Sequence, residues 1–158
     1  AKGQFHLGCC YELGNGVEED EGEAFRLYKL AAEKGDANAQ LNLGICYDTE
    51  IGVSIDHKLA FEWYLKSAEN GNERAQFKLA HCLANGFGTS KNLEEAMKWY
   101  RKGAERGDSM SQYELGVCYE TGLGVQNRIQ ALHWYELAAA QGDEDAQEAI
   151  ERLKEVKL

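Results

Sequence analysis

AFEWYLKSAENG, from Ala60 to Gly71, is the stretch that decides the fold. Its other copies are AFRLYKLAAEKG (24–35), AMKWYRKGAERG (96–107) and ALHWYELAAAQG (131–142). Self-similarity at a fixed period of roughly 20–50 residues is typical of a repeat protein rather than of one globular core. We therefore predict an array of helical units in which each unit packs on its neighbours.

Each copy is the second helix of its unit, and a first helix precedes it. The first helix is clearest in residues 37–49, where Ala39, Leu43 and Cys46 recur at helical spacing and form an apolar stripe. Gly44 lies beside this stripe, although glycine costs about 1 kcal/mol relative to alanine inside a helix. The first, second and fourth units have glycine at this place, and the third unit has Ala80. We therefore expect two helices to approach each other closely there.

Capping residues mark the ends of the helices. Each second helix begins after an Asp or Asn whose side chain can accept the first free amide protons; these residues are Asp20, Asp56, Asn92 and Asn127. Each second helix ends at a glycine that is followed directly by Asp or Asn. One dipeptide therefore closes one helix and opens the next. Connections this short predict that successive helices are antiparallel neighbours.

A glycine-rich turn follows each first helix. The four turns read GNGV (14–17), EIGV (50–53), NGFGT (85–89) and GLGV (122–125). A phosphate-binding loop would follow a strand and would continue into Lys-Ser or Lys-Thr, and neither condition is met. We predict turns that need a positive φ, which glycine adopts without steric cost.

The two ends of the array differ from its middle. Residues 143–158 have Glu151 and Lys154 where other first helices have glycine and tyrosine, which is typical of a polar capping helix. We expect Glu148 and Arg152 to form an i,i+4 ion pair on that helix. No such cap precedes the first unit, and we expect the natural protein to continue upstream. The predicted repeats span about 3–35, 36–71, 72–107 and 108–142, before the capping helix 143–158.

The charge balance excludes some functions. Asp and Glu number 27 against 17 Lys and Arg, for a formal net charge of −10. Nucleic-acid binders carry a basic face, so we predict no nucleic-acid partner. No apolar run approaches the roughly 20 residues that cross a bilayer, so we predict no membrane insertion.

Cysteines occupy one position of the repeat. Four of the five cysteines are spaced by 36 residues, namely Cys10, Cys46, Cys82 and Cys118. Equivalent helices in stacked repeats lie about 10 Å apart, which is too far for a disulfide. We predict small packed thiols and a reducing, cytoplasmic location.

The combined motif is A-x-x-x-L-G-x-x-Y, then G-x-G-V, then A-x-x-W-Y-x-x-A-A-x-x-G, from about Gly3 to Gln147. It resembles the Sel-one-like (Sel1-like) repeat family, a relative of the tetratricopeptide repeats. In the second unit the matching residues are Ala39, Leu43, Gly44, Tyr47, Gly52, Val53, Ala60, Trp63, Tyr64, Ala68 and Gly71. The departures are Leu27, Glu50, Leu83 and Thr89. The resemblance implies an all-α, right-handed solenoid superhelix of antiparallel helix pairs.

The resemblance also implies a protein-interaction scaffold or adaptor, as in complexes for protein degradation, chitin-synthase activation or bacterial signalling. We expect a monomer with a protein or peptide partner. A structural spacer in a multidomain protein is one alternative. An enzyme such as a β-lactam hydrolase is another, because a cysteine-rich bacterial branch of the family is linked to β-lactam binding. This chain lacks that branch's second cysteine per repeat, and no serine has the lysine that S-x-x-K requires.

By the same resemblance, the first helices line a concave face. One column of residues beside the packing stripe is Phe5, Leu41, Phe77 and Tyr113, and a second is Cys9, Ile45, His81 and Val117. The residues predicted to contact a partner are Phe5, Leu41, Ile45, Arg74, Phe77, His81, Met110, Tyr113 and Val117. Glu12, Asp48 and Glu120 lie one turn further and predict an acidic edge that favours Lys or Arg in the partner. The alternative is that the aromatic column completes the packing between helices.

The sequence offers no catalytic set, cofactor motif or metal site. His6 with Cys9 or Cys10 is the one candidate pair of metal ligands, and no second pair accompanies it. His57 and His133 are predicted to lie on the surface. The Trp-Tyr pairs at 63–64, 99–100 and 134–135 could stack on bases, but their repeat register favours a role in the core.

The cysteine spacing yields the first prediction. Thiol titration in denaturant without reductant should count all five cysteines as free thiols, because the repeat holds Cys10, Cys46, Cys82 and Cys118 apart. Two fewer thiols, together with a mass that matches an internal bridge, would contradict the spacing argument.

Overall fold

The computed structural model describes residues 1–122 and 127–155. Within these residues the chain forms helices and no strand, which confirms the all-α class. The helices are α1 (Lys2–Leu13), α2 (Glu21–Glu33), α3 (Ala37–Thr49), α4 (His57–Glu69), α5 (Glu73–Asn85), α6 (Leu93–Glu105), α7 (Ser109–Thr121), α8 (Arg128–Ala139) and α9 (Glu144–Glu155). Residues 123–126 of the fourth glycine-rich turn and residues 156–158 of the expected capping helix lie outside the described part.

The chain divides into two compact units, Ala1–Lys91 and Asn92–Leu158. The first unit contains α1 to α5, and each of its helices packs against the next one along the chain. The second unit contains α6 to α9, which pack in the same sequential manner. The core of each unit is the seam between successive helices, as expected for helical pairs with short connections.

A tyrosine on the second helix packs against the glycine of the first helix in each complete pair. The tyrosines Tyr28, Tyr64 and Tyr135 are 0% exposed. A Cβ added to Gly44 would lie only 2.6 Å from Cε1 of Tyr64, and one added to Gly8 would lie 2.8 Å from Cε1 of Tyr28. The expected close approach is therefore real, and its physical cause is the edge of the tyrosine ring, Cδ1 and Cε1, that packs on the glycine.

The same tyrosines donate hydrogen bonds to acids on the first helix. The hydroxyl of Tyr64 donates to Asp48 at 3.2 Å, and that of Tyr135 donates to Glu120 at 2.6 Å. Tyr28 donates to Glu12 in the same way. The acid position recurs with the repeat, except that Ala84 occupies it in the third. A buried hydroxyl needs such an acceptor, since leaving it unsatisfied costs about 1–3 kcal/mol.

A buried glutamine joins each first helix to the helix before it. The side-chain amide of Gln40 donates to the carbonyl of Ala32 at 3.2 Å, and that of Gln76 donates to Ala68 at 3.3 Å. Gln112 donates to Ala104 at 3.1 Å. The last carbonyls of a helix have no partner within it, so each glutamine satisfies one and fixes the next repeat against it.

The predicted caps form. The side chains of Asp20, Asp56, Asn92 and Asn127 each accept a hydrogen bond from the backbone amide three residues on, at 2.9–3.1 Å. The glycines that end the second helices have positive φ, for example 84° at Gly35 and 86° at Gly71. One dipeptide therefore does close one helix and open the next.

The loop glycines have a role beyond the turn. Gly52 has φ 67°, and a Cβ there would lie 2.2 Å from the carbonyl oxygen of Glu21 at the start of α2. A Cβ added to Gly88 would lie even closer to the carbonyl oxygen of His57 at the start of α4. Each loop therefore lies against the second helix of the preceding repeat, and only glycine leaves room for that contact.

Two expectations about side chains need correction. Trp134 is buried, but Trp63 and Trp99 are half-buried. The ammonium groups of Lys66 and Lys102 lie over their rings, at 4.0 and 4.2 Å from the centroids. The prediction that these tryptophans belong to the core therefore holds for Trp134 but not for Trp63 and Trp99. Arg152 does form an ion pair, but with Glu120 of α7 at 2.8 Å rather than with Glu148. The pair across two helices uses a carboxylate that also accepts from Tyr135.

The contact between Gly44 and Tyr64 predicts the effect of a single methyl group. Gly44→Ala should destabilise the protein by up to about 2 kcal/mol, because overpacking costs about 1–3 kcal/mol and the gain in helix propensity returns only about 1 kcal/mol. Gly3→Ala is the matched control, since a Cβ there meets nothing within 4 Å. Chemical denaturation should show that the control is neutral or stabilising. An equal response of the two variants would contradict the close approach.

At Glu50, unlike at most helical positions, a substitution by glycine is expected to stabilise the protein. Among the described residues Glu50 is the one non-glycine residue with positive φ, at 66°, and it ends α3 where Gly14 and Gly86 end α1 and α5. A left-handed conformation costs an ordinary residue about 1–2 kcal/mol. Glu50→Gly should therefore raise the free energy of unfolding by about 0.5–1 kcal/mol after the entropic loss of glycine. A lower melting temperature for this variant would show that the carboxylate contributes a contact that outweighs the strain.

Candidate interaction surface

The predicted contact residues in the first unit lie on α1, α3 and α5. Phe5, Ile45, Phe77 and His81 are half-buried, and Arg74 is exposed. The ring of Phe5 lies 6.0 Å from that of the buried Tyr28, so part of it packs on the core. These first-helix positions therefore combine a packing contact with a surface that solvent still reaches.

Leu41 differs from the other members of this set. It is only 3% exposed and so offers no surface to a partner. Its side chain belongs to the core, and for Leu41 the packing alternative is the correct one. The helical stripe is wider at α3 than the sequence pattern indicated.

The second unit repeats the pattern on α7. Tyr113 and Val117 are half-buried and pack against a core that contains Tyr135. The rings of Tyr113 and Tyr135 lie 5.6 Å apart. Met110, at the start of α7, is 56% exposed and is the most accessible apolar member of the predicted set.

The predicted acidic edge is largely occupied by contacts within the protein. Asp48 accepts from Nδ1 of His57 at 2.8 Å as well as from Tyr64. Glu120 accepts from Arg152 and from Tyr135, and Glu12 accepts from Tyr28. These carboxylates are therefore structural acceptors, and the hydrogen bonds that they already accept leave fewer lone pairs for the Lys or Arg of a partner.

A cavity of about 180 Å³ lies in the first unit, where the end of α3, the start of α4, helix α5 and the loop after α5 meet. We call it the His81 cavity. Its lining residues are Asp48, His57, Lys78, His81, Cys82 and Phe87. Of the nine predicted contact residues, His81 alone lines it, and Asp48 of the predicted acidic edge lies in its wall as well.

Aromatic contacts shape one side of the His81 cavity. The ring of Phe87 lies 5.8 Å from that of His81 and 6.4 Å from that of His57, with interplanar angles of 33° and 38°. Phe87 is 48% exposed, which is high for a phenylalanine. The loop holds it there because Gly88 lies against the backbone of His57.

The environment of the cavity favours the neutral forms of the His81 and Cys82 side chains. Burial, and then the positive charge of Lys78, lower the pKa of His81 below its usual range. Burial and the negative charge of Asp48 raise the pKa of Cys82 to about 11, so its thiol stays protonated near neutral pH and is a poor nucleophile. The described residues bring together no three side chains suited to hold a metal ion.

Sequence reasoning missed three members of the cavity. Lys78, His57 and Phe87 sit at positions where the repeats differ from one another, and the motif that identified the array is built from positions where they agree. His57 is exposed as predicted, but it is also paired with Asp48. A comparison of the variable positions, repeat by repeat, is the signal that could have drawn attention to them.

Solved structures similar to this chain come from several bacteria. A Sel1 repeat protein from Oxalobacter formigenes is 37% identical with a TM-score of 0.89, over 94% of this chain and 60% of that one. The protective antigen c5321 of uropathogenic Escherichia coli, which has an SLR fold, is 38% identical with a TM-score of 0.88, over 93% of this chain and 32% of that one. The chain therefore spans less than two thirds of either relative.

A more distant similarity is to the cysteine rich protein B of Helicobacter pylori. The identity is 26% and the TM-score 0.60, over 86% of this chain and 98% of that one. All five cysteines of this chain are free.

No curated protein matches the chain significantly. None of the described helices combines the length and the apolarity that a bilayer crossing needs. The family model of the Sel1 repeat matches four consecutive segments, residues 1–36, 37–72, 73–108 and 109–143. Since these segments cover nearly all of the sequence and the fold matches solved members, the chain belongs to the Sel1 repeat family, with its α-solenoid architecture.

Proposed function

We propose that this chain is a protein-interaction scaffold whose first helices bind a segment of a partner protein. Proteins of the Sel1 repeat family are generally interaction scaffolds and are typically not enzymes. The partner segment would lie along first-helix positions that the fold does not bury completely.

The observation that carries the proposal is the contrast between two sets of apolar side chains on neighbouring helices. The second-helix tyrosines are 0% exposed. The first-helix residues Phe5, Ile45 and Phe77 in one unit, and Tyr113 and Val117 in the other, remain half-exposed. Within either unit, side chains that the fold holds in one part-buried position can bury further area on binding with little loss of entropy. Such side chains act as anchors in protein interfaces.

We also propose a reducing, cytoplasmic location. Five free cysteines in one small protein would be exposed to oxidation elsewhere. Burial raises the pKa of Cys46 to about 12 and that of Cys82 to about 11, so both thiols remain protonated and pack as small apolar groups.

A pair of double variants tests the binding proposal. Phe77→Ser with Tyr113→Ser removes one ring from α5 and one from α7, and it should reduce the capture of specific partners at least tenfold. Ile129→Ser with Leu137→Ser is the matched control, because these residues are 80% and 39% exposed on the second helix α8. The control should capture partners as the wild type does. Far-UV circular dichroism and a single cooperative melting transition should be unchanged in both.

Three outcomes would contradict the proposal. If the Phe77 and Tyr113 variant unfolds, the column is core and its exposure has no function. If it folds and retains every partner while the control loses them, the second helices form the binding surface. If neither wild type nor variants enrich any specific partner, the structural-spacer alternative is favoured.

A further inference from the structure

The His81 cavity is lined by two kinds of residue, and the internal repeat separates them. Asp48 and Cys82 recur in most repeats, as Glu12 and Glu120 and as the other cysteines. The remaining four residues do not recur. At the equivalent places the repeats before and after have Glu21 and Leu93 for His57, Asn42 and Glu114 for Lys78, Ile45 and Val117 for His81, and Ile51 and Leu123 for Phe87.

This difference has a physical meaning. A residue type that every repeat shares is required by packing, because each repeat solves the same packing problem. A residue type found in one repeat alone is not required by the fold, since the other repeats fold without it. Four such residues, from α4, from α5 and from the following loop, line one cavity in the first unit. Because they meet in one cavity, we interpret it as a recognition site, in which the recurrent residues Asp48 and Cys82 form the part required by the fold.

The charges of the cavity define what it can accept. The one carboxylate in its lining, Asp48, already accepts hydrogen bonds from His57 and Tyr64. Lys78 is exposed and forms no ion pair with the described residues. The charged group left without a partner in this lining is therefore the ammonium of Lys78, and protonation of His81 would add a positive charge beside it. The ammonium group of Lys78 would repel a cationic ligand. A wholly apolar ligand would remove water from that ammonium group without offering it a hydrogen-bond acceptor.

Size and global charge narrow the class of anion. A cavity of about 180 Å³ admits a side chain or a chain terminus rather than a folded element. The chain carries a net charge of −10, and Asp48 lies in the wall, so a doubly charged phosphate is repelled more strongly than a singly charged carboxylate. The ring of Phe87 can cover the methylene groups next to that carboxylate while Lys78 donates to its oxygens.

We propose that the His81 cavity binds a carboxylate group, supplied by a Glu or Asp side chain or by the free C-terminus of the partner segment. This inference rests on the proposed function, because it names the chemistry that the partner presents. It differs from the charge preference expected from sequence, since the charged group that the cavity leaves without a partner is Lys78. Lys78 supplies the charge, His81 and Phe87 supply the walls, and His57 is held by Asp48.

The proposal implies coupling between binding and protonation. His81 faces Lys78 on α5, Asp48 and its partner His57 on α3 and α4, and the ring of Phe87, and its pKa is low chiefly because of burial. An anion bound beside it stabilises the imidazolium form and raises that pKa. Carboxylate binding then takes up a proton, so the affinity should rise as the pH falls from about 7.5 towards 5.5, where the probe carboxylate is still ionised.

The test uses small probes and therefore needs no protein partner. N-acetylglutamate α-amide presents a side-chain carboxylate, N-acetylglycine presents a chain terminus, and N-acetylglutamine α-amide is the uncharged control. We expect saturable shifts of the imidazole NMR signals of His57 and His81, with Kd on the order of 1–10 mM for ligands of this size. His6 and His133 should not shift, and the pKa of His81 should rise on saturation. Whichever carboxylate probe binds more tightly shows whether a side chain or a chain terminus supplies the carboxylate.

Variants borrowed from the neighbouring repeat keep the fold intact. Lys78→Asn and His81→Ile install the residues that the second repeat has as Asn42 and Ile45. Lys78→Asn should weaken binding of the carboxylate probe about tenfold, which is typical of a lost charge-assisted contact. Lys58→Asn is the matched control, since Lys58 is exposed on α4 next to His57 and does not line the cavity.

Several results would overturn the proposal. Linear shifts without saturation, equal binding of the uncharged amide, or an equal effect of Lys58→Asn would each exclude a carboxylate site. Tighter binding of inorganic phosphate than of either carboxylate would show that the anion class is wrong. Failure of the probes while Phe77→Ser with Tyr113→Ser still abolishes partner capture would leave the scaffold function standing. If the probes bind but that double variant captures partners as the wild type does, the carboxylate site is supported and the proposed first-helix binding surface is excluded.

Discussion

The structure depends on the contact between a tyrosine ring and a helical glycine within each complete pair of helices. Gly44 lets the ring of Tyr64 approach α3 closely, and the ring's hydroxyl then reaches Asp48 one turn further along the same helix. Burying the ring supplies apolar contact, and the hydrogen bond removes the cost of burying the hydroxyl. The same arrangement holds Tyr28 on Gly8 and Tyr135 on Gly116. One side chain thus fixes both the distance and the axial register of two helices.

Contacts between successive repeats have a different chemistry from those within them. The amides of Gln40, Gln76 and Gln112 satisfy carbonyls at the end of the preceding helix. Gly52 and Gly88 bring each loop against the first turn of the preceding second helix. Both kinds of contact use backbone atoms as partners, so they place few demands on neighbouring side chains. Surface positions such as residues 45, 78, 81 and 87 are therefore free to differ from repeat to repeat.

This freedom connects the fold to the proposed function. A solenoid whose packing uses a small set of recurrent residues can vary the others without loss of stability. In the first unit the variation places Lys78, His81 and Phe87 around one cavity. The recurrent acid Asp48 serves both roles, because it holds Tyr64 for the fold and His57 for the cavity. One carboxylate thus contributes both to the packing of its repeat and to the wall of the proposed recognition site.

The sequence by itself determined the helices, their caps, the antiparallel pairing and the Sel1 repeat family, because these follow from local periodicity and from residues such as Asp20, Gly35 and Gly44 that recur in register. It also singled out Phe77 and His81 as first-helix surface residues. Only the tertiary structure decided that Leu41 is buried, that Trp99 lies half-exposed under Lys102, and that Glu12, Asp48 and Glu120 accept hydrogen bonds from the buried tyrosines. The physical reason is that helical periodicity gives the direction of a side chain, whereas its exposure and its free charge depend on which atoms of other helices reach it.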